Sequence, residues 1–194
     1  MIATSVSLLE RLRNQPDEAS WQRLDGLYRP LVRCWLLRID PSIREEVDDL
    51  VQEVMRVLIQ ELPHFSPERP GSFRRWLRRI AVNRLQTFWR CRQQRPSPLG
   101  GPGTDSLLAD LEDPASELNR QWDLEHNRHV LGRLLEMLEG DFAPTTFQAF
   151  RRVVLDDAKP AKVAEELGLS VNAVLLAKSR VLKRLREEGK NLLD

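Results

Sequence analysis

Cysteine, histidine and long apolar runs are what this 194-residue sequence has least of. The two cysteines, Cys34 and Cys91, lie far apart and form no CxxC pair. That excludes a disulfide framework or a zinc ribbon and fits a reducing cytoplasm. Neither has a recognisable base partner, so nucleophilic catalysis has no support. The three histidines are His64, His126 and His129. His126 and His129 can share a helix face, but two ligands without a third make no metal centre, so no metal or other cofactor is expected. No run approaches the roughly 18 apolar residues a membrane span needs, which argues against membrane insertion. The opening MIATSVSLLERLRNQ turns charged by its second turn, unlike a secretory leader. Strand signals and internal repeats are missing as well.

What is present is charge in blocks. The formal net charge is only +1. Yet Arg69 to Arg95 contains nine arginines and no acid, Asp105 to Asp141 carries a net −7, and Lys178 to Lys190 a net +4. Blocks that cancel overall point to separate surfaces with different partners.

The periodicity is helical throughout. Trp21, Leu24, Leu27, Tyr28, Leu31, Val32, Trp35 and Leu36 recur at three and four residues, after the start signals Pro16 and Asp17. Asp40-Pro41-Ser42 breaks that pattern. A second helix is expected from about Ile43 to Leu62, striped by Val47, Leu50, Val51, Val54 and Leu58. Pro63, Pro67, Pro70 and Gly71 enforce a loop. Ser72 is placed to cap a third helix carrying Phe73, Trp76, Leu77, Ile80, Ala81, Leu85 and Phe88 inward or along one side. The expectation is an all-α chain: a three-helix N-terminal bundle over residues 1–92, a flexible linker over 93–116 rich in proline and glycine, and a second small helical domain over 117–194. In the last, helices are expected at Glu117–Leu138, Pro144–Leu155, Pro160–Leu167 and from a Ser170 cap to about Glu188.

The stretch KPAKVAEELGLSVNAVLLAKSRVLKRLRE has the layout of a helix-turn-helix. Val163, Ala164 and Leu167 face inward, Gly168 permits the tight turn, and Ser170 satisfies the orphan amides of the second helix. Val174, Val181, Leu182 and Leu185 return that helix onto its partner. Its N-terminal face would enter a major groove. Lys178, Arg180, Lys183, Arg184 and Arg186 would hold phosphates. Leu175, Leu176 and Ala177 stand where a reading helix often carries polar groups. Either polar readout falls to Ser170, Asn172, Lys178 and Ser179, or the apolar trio is core or meets thymine methyls. The plain alternative for the whole segment is a helical hairpin with a solvated basic face.

Upstream, the third helix interleaves arginines with Phe73, Trp76, Phe88 and Trp89. Such a pattern suits opened DNA, since arginines hold phosphates and aromatics stack on bases. The competing view makes Phe73 and Trp76 core and the arginines solvent-facing. The second helix is the opposite: Glu45, Glu46, Asp48, Asp49 and Glu53 form an acidic surface beside the apolar stripe. Paired carboxylates can bind Mg²⁺ for phosphodiester chemistry, but no histidine or further carboxylate cluster supports a nuclease. A protein-docking face or a merely solvated one remain.

The sequence DDLVQEVMRVLIQELPHF, then RPGSFRRWLRRIAVNRLQTFWR, then a linker, then the helix-turn-helix, resembles a bacterial RNA polymerase sigma factor. It is similar to the compact extracytoplasmic-function (ECF) type of the sigma-70 family, which keeps only conserved regions 2 and 4. The resemblance runs from about Trp21 to Glu188, and the DLVQE and SFRRWLRRIAVNR pair carries it; the helix-turn-helix alone is generic. It implies a promoter-specific initiation factor and not an enzyme. Asp48, Asp49, Leu50, Gln52 and Glu53 would dock on the clamp helices of the polymerase beta-prime subunit, with the beta flap as a further contact. Ser72, Phe73, Arg74, Trp76, Arg78, Arg79, Asn83 and Arg84 would bind and help melt the −10 element, with a flipped base held by the loop from His64 to Gly71. Ser170, Asn172, Lys178, Ser179, Arg180, Lys183 and Arg184 would serve the −35 element. The linker would thread toward the polymerase cleft, its acids Asp105, Asp110, Glu112 and Asp113 either mimicking nucleic acid or simply solvated. The partners implied are core polymerase and promoter DNA; an anti-sigma factor is left open.

The sequence departs from the family in three places. Trp76-Leu77 stands where primary sigma factors pair tryptophans, which implies weaker intrinsic melting. Thr87 lies near a position where many ECF factors carry aspartate. The recognition helix lacks the usual Lys-Ser-Arg run at Leu175-Leu176-Ala177. Two other functions compete: a one-component regulator, which needs a ligand pocket in the N-terminal domain, and a protein-only adaptor, which needs no salt-dependent DNA affinity.

Overall fold

The computed structural model describes residues 7–66, 71–93, 110–111, 113 and 115–193. Every regular element among them is helical. Two compact units divide the chain: an N-terminal unit of Leu9–Val130 with residues 191–193, and a C-terminal unit of Leu131–Lys190 with residues 7–8.

Helix α1 spans Leu8–Asn14. It goes beyond the three N-terminal helices expected, although buried Leu8, Leu9 and Leu12 give it an apolar stripe. Helix α2 spans Glu18–Ile39. Asp17 caps it, taking the Ser20 backbone N–H at 2.7 Å and the Ser20 hydroxyl at 3.0 Å; these bonds hold its carboxyl below the ordinary range. The helix continues through Pro30, clamped by buried Leu27, Tyr28, Leu31 and Val32 on either side.

The second helix expected from Ile43 begins later. Asp40 accepts the Ser42 N–H at 2.9 Å and caps a 3₁₀ turn, Pro41–Ile43. Helix α3 is Val47–Glu61. A turn with Glu46 N–H on the Ile43 carbonyl at 3.0 Å separates the two. Ile43 is fully buried all the same, so the apolar stripe is right and its backbone is not. Helix α4 is Ser72–Gln93. Ser72 is its first helical residue, not its cap: Gly71 precedes it at φ 71°, and the Gly71 carbonyl takes the Arg75 N–H at 3.1 Å. That left-handed φ is cheap only for glycine.

Helix α5 spans Glu117–Glu139, started by Ser116, whose hydroxyl accepts the Asn119 N–H at 3.3 Å. The expected domain boundary was at 116/117, but the compact units part inside α5, after Val130. The reason is a set of long-range contacts within the N-terminal unit. Trp122, fully buried, meets Trp35 edge-on at 4.9 Å. His126 bonds the Tyr28 hydroxyl at 3.3 Å, and the His129 ring donates to the Leu27 carbonyl at 2.7 Å. Arg38 pairs with Glu125. An anchor like Trp122 is worth about 3–5 kcal/mol against alanine. Most of the expected linker, residues 94–109, 112 and 114, lies outside the described residues, and with it Asp105 and Glu112.

In the C-terminal unit, helices α6 (Pro144–Val154), α7 (Pro160–Leu167) and α8 (Val171–Glu188) follow. One apolar cluster joins Ala149, Val153, Val163, Ala164, Val174 and Ala177. A second joins Leu138, Phe147, Phe150 and Val181, with Leu182 and Leu185 packed against it. Between α7 and α8, Gly168 adopts φ 63° and Ser170 accepts the Ala173 N–H at 3.1 Å. The turn and cap read from AEELGLS are both in place.

Candidate nucleic-acid interface

Helix α4 is built around three faces. Its apolar face carries Phe73, Leu77, Ile80, Ala81 and Leu85, all buried. Phe73 lies 5.2 Å from Tyr28 and 5.6 Å from Phe65, ring centre to ring centre. It is a core aromatic, so it is removed from the DNA-facing set. Arg74 is also interior: its side chain is 8% exposed, its Nε is 2.8 Å from Asp123, and its Nη1 donates to Asn127 at 3.1 Å. A guanidinium so held is a structural link between α4 and α5, not a phosphate hook. Arg84 lies near enough to Glu53 of α3 to help lower its carboxyl, after the main effect of the Arg56 hydrogen bond.

The remaining face carries Ser72, Arg75, Trp76, Arg79, Asn83 and Gln86, which recur at three and four residues. With Arg78, His64, Phe65, Ser66 and Leu111 they line a groove of about 670 Å³. Trp76, half-buried, stacks on Phe65 at 4.6 Å with planes 25° apart. The stacked pair offers a flat apolar wall. Arg75, Arg78 and Arg79 supply positive charge around it, and Ser66, Ser72, Asn83 and Gln86 supply hydrogen-bonding groups. Burial holds the Arg78 guanidinium below its ordinary value; Asp123 opposes that shift, and Arg74 and Arg75 add to it. An apolar stacking surface inside a basic groove is what a single-stranded nucleic acid requires.

Of the residues expected here from the sequence, the groove gathers Ser72, Trp76, Arg78, Arg79 and Asn83. Arg75 and Gln86 were missed, though their spacing from Arg79 and Asn83 gives them away. Phe65 falls within the His64–Gly71 loop expected to hold a base, whereas Leu111 was missed because its place depends on the chain's return. Leu111 is buried, its carbonyl accepting the Asn119 side-chain N–H at 3.4 Å.

Helix α3 presents Asp48, Asp49, Gln52 and Glu53 to solvent. Arg33 pairs with Asp48 at 2.8 Å, and Arg56 pairs with Glu53 at 2.7 Å. Leu50, by contrast, is buried and shapes the helix from beneath. On α8, Ser170, Asn172, Ser179, Arg180 and Lys183 are exposed and Lys178 is half-buried. Arg184 leaves the expected phosphate set: it lies on the packed side of the helix, 2.8 Å from buried Glu188 and 3.6 Å from Asp141. Ala177 is core, whereas Leu175 and Leu176 are exposed.

His126 places Nε2 on the Tyr28 hydroxyl and Nδ1 on the Asn127 side chain, and His129 places Nε2 on the Leu27 carbonyl. Burial pushes the Tyr28 hydroxyl far above its ordinary value, against the opposing charge of Arg74.

Residues 25–95, which hold the acidic face of α3 and all of the groove but Leu111, match the family described as Sigma-70 region 2. Over that segment the chain is similar to the sigma-70 family. The RNA polymerase sigma factor CnrH of Cupriavidus metallidurans is 30% identical over 132 residues. That match covers 66% of this chain and 65% of CnrH, so just under two thirds of the relative's length is spanned. The sigma-70 match falls on the unit whose basic groove and acidic face lie on different helices. Among the described residues, no helix is long and apolar enough to cross a membrane.

Proposed function

We propose that this chain acts as an ECF-type sigma factor: it binds core RNA polymerase and directs it to promoters, and it performs no bond chemistry itself. The observation that carries this is the groove on α4, where the Phe65–Trp76 stack lies among Arg75, Arg78 and Arg79 within the segment matching Sigma-70 region 2. A stacked aromatic pair ringed by arginines suits the opened strand of a −10 element. Asp48, Asp49, Gln52 and Glu53 form the docking face for the beta-prime clamp helices, with the beta flap as a further contact. The helix-turn-helix of α7 and α8 serves the −35 element through Ser170, Asn172, Lys178, Ser179, Arg180 and Lys183. Two modest DNA contacts on one tethered chain add up to strong, selective binding when both are engaged. The work is done in the cytoplasm, where polymerase and promoter are.

Trp76→Ala tests it. Binding to a duplex promoter and to the same promoter with an unpaired −10 segment is measured alongside thermal stability. Loss of one base stack, about 1–3 kcal/mol, is expected on the opened template, with duplex binding little changed. Equal losses on both templates together with a lowered melting temperature would make Trp76 a core residue and remove the groove's assignment.

A further inference from the structure

We propose that the helix-turn-helix reads thymine methyl groups through Leu175 and Leu176, so that the duplex element it selects is built of A·T pairs at the positions they face. This rests on the helix-turn-helix being the −35 reader.

Helix α8 packs inward through Val174, Ala177 and Val181, all nearly inaccessible. The opposite side of its first three turns is therefore the side available to a groove. It carries Asn172 and Ser179 along its centre, with Leu175 and Leu176 on either flank and Val171 at the start. Val171, Leu175 and Leu176 are 44%, 46% and 47% exposed, and they fall within six residues of one helix, so the exposure is a cluster and not a lone leucine.

Two features of the helix name the occupant. The helix begins at a left-handed Gly168 and a Ser170 cap, the geometry that sends a second helix's N-terminal end into a major groove. Arg180 and Lys183 follow on the exposed side, the latter 73% exposed, placing positive charge where phosphates would flank the leucines. A protein-binding leucine patch has no need of that flanking charge. In the major groove, the one apolar base feature is the thymine C5-methyl. Asn172, between the two leucines, carries the amide that pairs bidentately with adenine. The three side chains together thus favour neighbouring A·T pairs over G·C, since neither leucine can satisfy the polar edge of guanine or cytosine.

The test enriches randomised duplexes on the full chain bound to core polymerase, then replaces each thymine of the selected element by uracil, which lacks only the methyl. At two positions, each methyl removed should weaken binding by about fourfold. Leu175→Ala should abolish the thymine–uracil difference at one of them and Leu176→Ala at the other, with helical content unchanged because both side chains face solvent. Leu175→Asn should change the base selected there. A selected element in which uracil binds as well as thymine, or variants that keep the discrimination, would overturn the methyl readout while leaving the −35 reader intact. Enrichment of no sequence at all would sink the reader and the proposal with it.

Discussion

Asp123→Asn probes the least expected feature of the fold, the docking of the first half of α5 in the N-terminal unit. Arg74 is nearly inaccessible, ion-paired with Asp123 at 2.8 Å and hydrogen-bonded to Asn127 at 3.1 Å. Removing one partner of a fully buried ion pair costs about 3–5 kcal/mol. Asp123 is itself 39% exposed, so water screens the pair, and Asn127 stays in place. Against that relief, Asp123 also offsets the mutual repulsion of Arg78 with Arg74 and Arg75. A loss of about 2 kcal/mol results, between the surface and the fully buried limits. All five tryptophans, at 21, 35, 76, 89 and 122, lie in this unit, so tryptophan fluorescence during urea denaturation reports it alone. With a slope of about 2 kcal/mol per molar, the midpoint should fall by about 1 M. A double-mutant cycle with Arg74→Met should return a coupling of at least about 1 kcal/mol. A midpoint shift under about 0.25 M, within the range of ordinary surface substitutions, would mean that α5 is not held there in solution.

Asp40 ties the end of α2 to α4 by accepting the Trp89 indole N–H at 2.8 Å and the Ser42 N–H at 2.9 Å. Asp40→Ala should cost about 2 kcal/mol at neutral pH, from a lost cap and a stranded indole N–H. Burial raises the Asp40 carboxyl, but the Ser42 and Trp89 bonds more than offset this and leave it below 3.8. Its stabilisation is therefore full above that value and lost as pH falls through the depressed one. Melts of wild type and variant should converge in acid; a gap that stays constant down to pH 2 would refute the linkage. Arg180→Ala and Lys183→Ala should weaken duplex binding on every sequence and reduce the salt slope by about one each. An unchanged slope would take those residues off the phosphate-contact list.

The helix-turn-helix was legible almost to the residue because its signals are local. Pro160 at a first turn, a glycine at the left-handed position and a serine three residues before the amide it caps are each fixed by neighbours in sequence. The faces of α4 were legible in part. The three-and-four spacing puts Phe73 and Trp76 on one stripe, and only packing against Tyr28 and Phe65 decides which of the two is core. Arg74 looked like its neighbours Arg75 and Arg78 until Asp123, 49 positions on, claimed it. The docking of α5 escaped for the same reason. Tyr28 and His126 are 98 residues apart, and a stripe of Trp122, His126 and His129 among charges reads as a solvated helix. Arg184 is likewise turned by Glu188 and Asp141, and Asp141 lies 43 positions away in sequence.

Whether the chain is a polymerase subunit with an acidic docking face and two DNA-binding modules is read out by run-off transcription with purified core polymerase on a genomic fragment library. Discrete transcripts that depend on this chain are expected, and they should be lost with Asp49→Ala or Gln52→Ala together with weakened core binding. Neither residue is part of the core, so the fold should stay intact. Core polymerase that neither binds the chain nor gains any specific transcript from it would contradict the account.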